Sequence, residues 1–239
     1  MRQFHAYDCA PGSRGGAMVR LILTGVLVGW VLVVTPTARA LPRSETCPPT
    51  CDTIPATAWP AVHTLPLADD LHWPDLADLA VPVRQPRFYS EELCATPLPT
   101  DDPRSFVVAA RAEVTAPPGQ WQMRAQVLHW RGETWRGGEM AMSVFDFAVA
   151  ALRACAVPGL SPSITTVDDV RMAAVISGPT IAHQYLVAHP QSSSITELVV
   201  WRTVPSSAEQ AVPWAPVADG RVLDAITAPL CEAYLSSCG

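Results

Sequence analysis

Residues 180–204 read T-I-A-H-Q-Y-L-V-A-H, then P-Q-S-S-S, then I-T-E-L-V-V-W-R-T-V. The outer blocks are rich in β-branched and aromatic residues, and the middle block holds turn formers. The spacing therefore predicts strands over Thr180–His189 and Ile195–Val204, joined across 190–194 as a hairpin or part of a meander. Working back along the chain, Arg171–Ser177 and Ser163–Val167 read as β-rich runs. Before them Phe145, Ala148, Leu152 and Cys155 fall at helical spacing within Glu139–Val157. Ser143 with Asp146 has the form of a capping box there, and Pro158-Gly159 ends the pattern. Earlier still, Phe106–Val114 and Trp121–Trp130 alternate in polarity around Ala116-Pro117-Pro118-Gly119, a second hairpin. The chain closes with Gly220–Cys238, which places Leu223, Ile226, Leu230 and Tyr234 on one helical face and has Pro229 inside.

Strand, strand, helix, strands, helix is the order expected of an α+β domain over 105–239. Its antiparallel sheet should carry two helices packed on one face. In front of it, residues 41–104 hold eleven prolines between positions 41 and 102. That density permits short helices at most, so an extended, disulfide-pinned arm is expected. Leu67–Leu71 and Asp75–Leu79 flank Pro74 as two helical turns with acids near their positive ends.

The chain is 239 residues long, 49% hydrophobic and 16% charged, with 24 prolines, arginine as its only strong cation and a formal charge of -6. Such a balance argues against a nucleic-acid partner, which requires a basic face. Leu21–Val34 is an uncharged apolar run of 14 residues, followed by Pro36 and Ala38-Arg39-Ala40. This is the order of an export signal, with cleavage expected after Ala40 and translation expected to begin at Met18. The competing expectation is a membrane anchor through uncleaved Leu21–Val34; a cleaved chain has no stable span. Without Arg2, Arg14, Arg20, Arg39 and Asp8, the 16 cationic and 22 acidic residues become 12 and 21, a formal charge of -9.

Six cysteines remain after cleavage: Cys47, Cys51, Cys94, Cys155, Cys231 and Cys238. An even count in an exported chain reads as three disulfides, with 15 possible connectivities. On one helix Cys231 and Cys238 would stand about 10.5 Å apart, too far to pair. Cys47-Pro-Pro-Thr-Cys51, held extended, spans roughly 12 Å. The favoured pattern staples this pair to the terminal helix and joins Cys94 to Cys155.

Neither Gly-x-Ser-x-Gly nor a phosphate-cradling Gly-Lys-Ser/Thr is present, and Ser-x-x-Lys is impossible without lysine. Glu133/Glu139 and Asp168/Asp169 read as acids at turns. Asp69, Asp70, Asp75 and Asp78 lack the D-x-D-x-D-G pattern of a calcium loop. His183 and His189 lie about 20 Å apart along one strand, so they cannot share a metal. No cofactor and no metal is expected. The most distinctive face is Ile181, His183, Tyr185, Val187 and His189. If the next strand presents Glu197, Val199 and Trp201 on that face and His129 joins from the earlier hairpin, His129, His183, Tyr185, Glu197 and Trp201 border one cleft. Its occupant would be a small, apolar or lipid-like molecule with a polar head. Arg124 is expected to face solvent.

In the strand Ala125–Trp130, the helix ending in Ala154-Cys155, the hairpin Tyr185–Trp201 and the terminal helix with Cys231 and Cys238, the stretch Gln126–Gly239 resembles a known family. That family is the extracellular sensor-like domain of some actinobacterial receptor serine/threonine kinases and of related secreted proteins or lipoproteins. The resemblance implies a non-catalytic ligand binder with a cleft between sheet and helices. The expectation is thus an exported, disulfide-stabilised binding or sensor-like module of the cell envelope or medium, with an envelope protein as the alternative partner to a small ligand. A secreted hydrolase of envelope polymers or esters is one alternative. An interaction protein acting through the proline-rich arm is the other.

Overall fold

A computed structural model of the chain describes residues 52–204 and 212–234, all within the unit Pro42–Gly239. Seven strands form one antiparallel sheet: β1 (Val81–Pro82), β2 (Val107–Val114), β3 (Gln122–Trp130), β4 (Ser161–Val167), β5 (Arg171–Ser177), β6 (Thr180–His189) and β7 (Ser194–Thr203). Their spatial order is β1-β2-β3-β7-β6-β5-β4. The chain thus builds β1 to β3, crosses to the far edge, and meanders back until β7 pairs with β3.

The crossing is made by α4 (Thr134–Arg153), which starts five residues earlier than its hydrophobic period suggested. Gly137 and Gly138 lie inside it and are buried. A Cβ on Gly137 would stand 2.5 Å from the Ser193 Cβ, and one on Gly138 2.8 Å from the Pro190 carbonyl. Their value is therefore close approach of the helix to the β6–β7 turn, which outweighs glycine's low helix propensity. Ser143 and Asp146 sit in mid-helix and form no capping box.

The arm contributes α1 (Ala68–Leu71), α2 (Leu76–Leu79) and α3 (Tyr89–Leu93). Asp75 caps α2 by accepting from the Ala77 N–H at 2.9 Å, so the acid and not Pro74 starts this turn. In α3 the Glu91 carboxylate accepts from the Phe88 N–H at 2.9 Å. The buried Arg104 guanidinium donates to it at 2.7 Å.

The last helix, α5 (Asp219–Ala233), does not share a face with α4, contrary to the expectation of two helices on one side. Its Leu223, Ile226 and Leu230 pack with Trp59 and Trp73 of the arm over Met123, Tyr185 and Leu198. On the opposite face Val144, Phe145 and Leu152 of α4 pack with Phe88 over Leu128, Leu186 and Ile195. The physical reason lies in the strands. Both parities of β6 and β7 are apolar, and a sheet apolar on both faces must be covered twice.

Cys94, at the end of α3, is disulfide-bonded to Cys155, just beyond α4, with Cα atoms 5.4 Å apart. This is the expected pairing, and it locks the two elements that cover one face. Cys231 is also disulfide-bonded. The expectations for Cys47, Cys51 and Cys238 fall outside the described residues. No helix among the described residues is long and apolar enough to cross a membrane.

A bridge spanning 61 residues typically stabilises by roughly 2–4 kcal/mol. A Cys94→Ala/Cys155→Ala variant is expected to melt about 4–16 °C lower in a thermal scan. An unchanged melting temperature would show that the bridge plays no part in holding α3 and α4 on the sheet.

Candidate functional site

Residues directly opposite one another in an antiparallel pair share a face. In the β6–β7 hairpin His183 stands opposite Val200, Tyr185 opposite Leu198, Leu186 opposite Glu197 and Ala182 opposite Trp201. His129, His183 and Tyr185 thus lie on the α5 side, and Glu197 and Trp201 on the α4 side. The five residues border no common pocket, which corrects the cleft expected from the sequence. The cause is one residue in the turn. A five-residue loop over 190–194 would pair His189 with residue 195 and put Glu197 opposite Val187, on the same face as Tyr185. In the structure Ser194 already pairs with His189, after a 3₁₀ turn over Pro190–Ser192 and a left-handed Ser193 (φ 52°). A slip of one residue moves every β7 side chain to the other face.

On the α5 side the His183 ring stacks on Trp214 with centroids 3.6 Å apart and planes 6° from parallel, and Trp121 lies 5.8 Å away. Burial lowers the His183 pKa to about 4, against the opposing pull of Asp219, so the ring is neutral at physiological pH. Burial pushes the Tyr185 hydroxyl up, and the Asp219 charge adds to this. His129 stacks on Tyr234 at 4.2 Å, and its Nδ1 lies 3.0 Å from the Ser192 carbonyl and 3.1 Å from Ser194 Oγ. Nearby, His189 Nδ1 is 2.7 Å from Ser192 Oγ, a pairing reminiscent of an activated nucleophile. Both residues are buried, and Ser192 Oγ also donates to the carbonyl of His189 at 3.2 Å, so the contact braces a turn.

On the α4 side Glu197 is wholly buried. Its Oε1 accepts from the Tyr89 N–H at 2.8 Å and from Gln184 Nε2 at 2.7 Å. Tyr89 is the first residue of α3, so a sheet carboxylate satisfies an N–H that the helix itself leaves unpaired. Among the described residues Glu197 Oε2 and Gln184 Oε1 have no hydrogen-bond partner. Desolvation raises the Glu197 pKa to about 7, against the Tyr89 N–H, the charge of Arg124, the Gln184 amide and the charge of Arg111. Tyr89 and Trp201 meet at 5.2 Å, and the Arg124 guanidinium lies 5.4 Å from the Tyr89 ring centre. Arg124 is not a solvated cation as expected, for it donates to Glu92 at 2.7 Å and to Glu113 at 2.9 Å. A carboxyl near pKa 7 suits acid–base chemistry, but only where a substrate can reach it. Glu197 is sealed beneath α3.

The accessible surface lies elsewhere. Along the outside of α4 a groove of about 760 Å³ runs beside the β6–β7 turn. Trp135, Gly138, Met142, Glu139 and Asp146 line it at helical spacing, with Thr134, Ser143, Pro190 and Gln191. Trp135 is 60% exposed, and the Arg136 guanidinium lies 5.3 Å from its ring centre. Sequence reasoning missed this surface because it placed Glu139 at a turn and left residues 134–138 out of the helix. Extending the i, i+3, i+4 period back to Trp135 was the available signal. No protein-family model matches the chain, and no curated protein matches it.

Buried Glu197 and half-buried His183 oppose each other in pH dependence. Glu197 has a folded pKa of about 7 against an ordinary 4.5, so the native state holds more protons between these values and stability falls as pH rises through them. His183, at about 4 against 6.5, makes stability rise with pH over about 4–6.5. Glu197→Gln removes the first contribution alone. Relative to the parent it is expected to gain stability between pH 4.5 and 7.5, by up to roughly 3 kcal/mol, in denaturant unfolding at each pH. A pH-independent difference between the two proteins would show that Glu197 is ionised with an ordinary affinity.

Proposed function

We propose that this chain is an exported, disulfide-stabilised, non-catalytic ligand-binding module of the cell envelope or extracellular medium, and that it binds through the groove on α4. The observation that carries the reading is Trp135. A large aromatic is left 60% exposed at an open groove with flanking carboxylates and hydroxyls, while Glu197, His129 and His189 are buried. Exposed aromatics beside convergent polar groups mark recognition surfaces. Export is supported by the apolar run Leu21–Val34 ahead of Ala38-Arg39-Ala40, and by the Cys94–Cys155 bridge, which belongs to an oxidising compartment. The likeness in layout to sensor-like extracellular domains points the same way. A hydrolase reading draws on the close Ser192–His189 pair, but a nucleophile must meet its substrate, and both residues are buried.

The test is made on protein recovered from its own host. N-terminal sequencing is expected to find a mature chain beginning near Leu41. Native mass spectrometry is expected to find a retained species that is absent from a Trp135→Ala variant of unchanged melting temperature. A chain beginning at Met1 or Met18 would remove the export reading. Identical spectra for parent and variant would remove the groove from it.

A further inference from the structure

Resting on that reading of the groove, the chemistry of its occupant follows from the positions of its charges. Glu139 and Asp146 lie seven residues apart on one stripe of α4, two helical turns or about 10.5 Å. Both are exposed, and neither is in an ion pair among the described residues. Between them lie Met142 and the Ser143 hydroxyl, Gly138 and Pro190 continue the apolar part of the floor, and Trp135 closes one end. Gly138 has no room for a side chain, because the Pro190 carbonyl would stand 2.8 Å from its Cβ, so the floor at that point stays flat.

A neutral ligand on this surface would leave two carboxylates uncompensated, and an anionic membrane would be repelled by them. A cation with an apolar body satisfies both the rim and the floor. Its spacing is also set. In a polyproline II segment every third side chain returns to the same side, at about 3.1 Å rise per residue, so residues i and i+3 point one way roughly 9.3 Å apart. In a β-strand the same two residues point to opposite sides. Trp135 already accepts a guanidinium, that of Arg136 at 5.3 Å from its ring centre, which shows its π-surface within reach of a cation.

We infer that the α4 groove binds a basic polyproline II segment of a partner protein, with cationic side chains three residues apart on Glu139 and Asp146 and an apolar residue between them on Met142. The acidic balance of the exported chain, 21 carboxylate residues against 12 arginines, draws such a segment in at low salt.

The experiment is fluorescence anisotropy of the full exported chain at about 20 mM salt, where exposed charges are weakly screened. The probe is a fluorescein-labelled peptide PRPLRP, compared with its twin carrying citrulline for both arginines and with PRPRLP, whose arginines are two apart. PRPLRP is expected to bind about tenfold more tightly than the citrulline twin, the scale of two surface charge contacts together with one ring contact, and about threefold more tightly than PRPRLP, which loses one charge contact. The advantage should shrink at 0.5 M salt and in an exposed Glu139→Gln/Asp146→Asn variant that melts like the parent. Equal binding of the citrulline twin, or an advantage that persists in the double variant, overturns the inference. A Trp135-dependent ligand from the host that carries no positive charge overturns it too, and leaves the binding-module reading standing. Loss of all Trp135-dependent binding overturns both.

Discussion

The central hairpin is apolar on both faces, and the rest of the molecule is arranged around that constraint. Ala182, Leu186, Ile195 and Val199 on one side and Tyr185, Val187, Leu198 and Val200 on the other are at most 2% exposed. Burying a large aliphatic side chain contributes about 1.5–3 kcal/mol. Leaving either face bare would therefore cost on the order of the 5–15 kcal/mol by which a domain is stable at all. Two covers are required, and the chain supplies them from different places. One is α5 with the arm tryptophans, and the other is α4 with α3, tied together by Cys94–Cys155.

Double coverage explains why the groups that look most chemical are structural. Glu197 lies in the middle of β7 on a covered face, and its carboxylate finds the first N–H of α3 as a partner. His183 and His129 lie on the other covered face, where flat aromatic neighbours exclude water and stack on them. Burial then moves Glu197 and His183 toward their neutral forms, because a low-dielectric surrounding disfavours charge. What remains for recognition is the outer surface of a covering layer, and α4 presents Trp135 and the exposed carboxylates of Glu139 and Asp146 there.

The strands were largely legible, since alternation and turn residues marked β5 and β6 to the residue and β2, β3, β4 and β7 to within two. The pairing of Cys94 with Cys155 was legible as well. The side of the sheet on which β7 places Glu197 was not, because it depends on whether Ser194 belongs to the turn or the strand. That choice is made by Ser193 entering the left-handed region, where a serine is uncommon. The start of α4 was hidden for a related reason. The helix was expected to begin only at Glu139, whereas Gly137 and Gly138 ahead of it are helical and serve contact with Ser193 and Pro190 of the β6–β7 turn, far along the chain. Tertiary contact overrode local propensity in both cases, and the candidate site moved with it.

Solution footprinting of tryptophan tests the central claim, that both sheet faces are sealed and the outside of α4 is open. With hydroxyl radicals and peptide-level mass spectrometry, Trp135, at 60% exposure, is expected to oxidise many times faster than Trp121 and Trp130, at 2% and 1%. The latter two lie on opposite faces and report on the two covers separately. Oxidation of Trp121 or Trp130 at the rate of Trp135 would contradict double coverage, and would return the buried histidines and Glu197 to consideration as an accessible site.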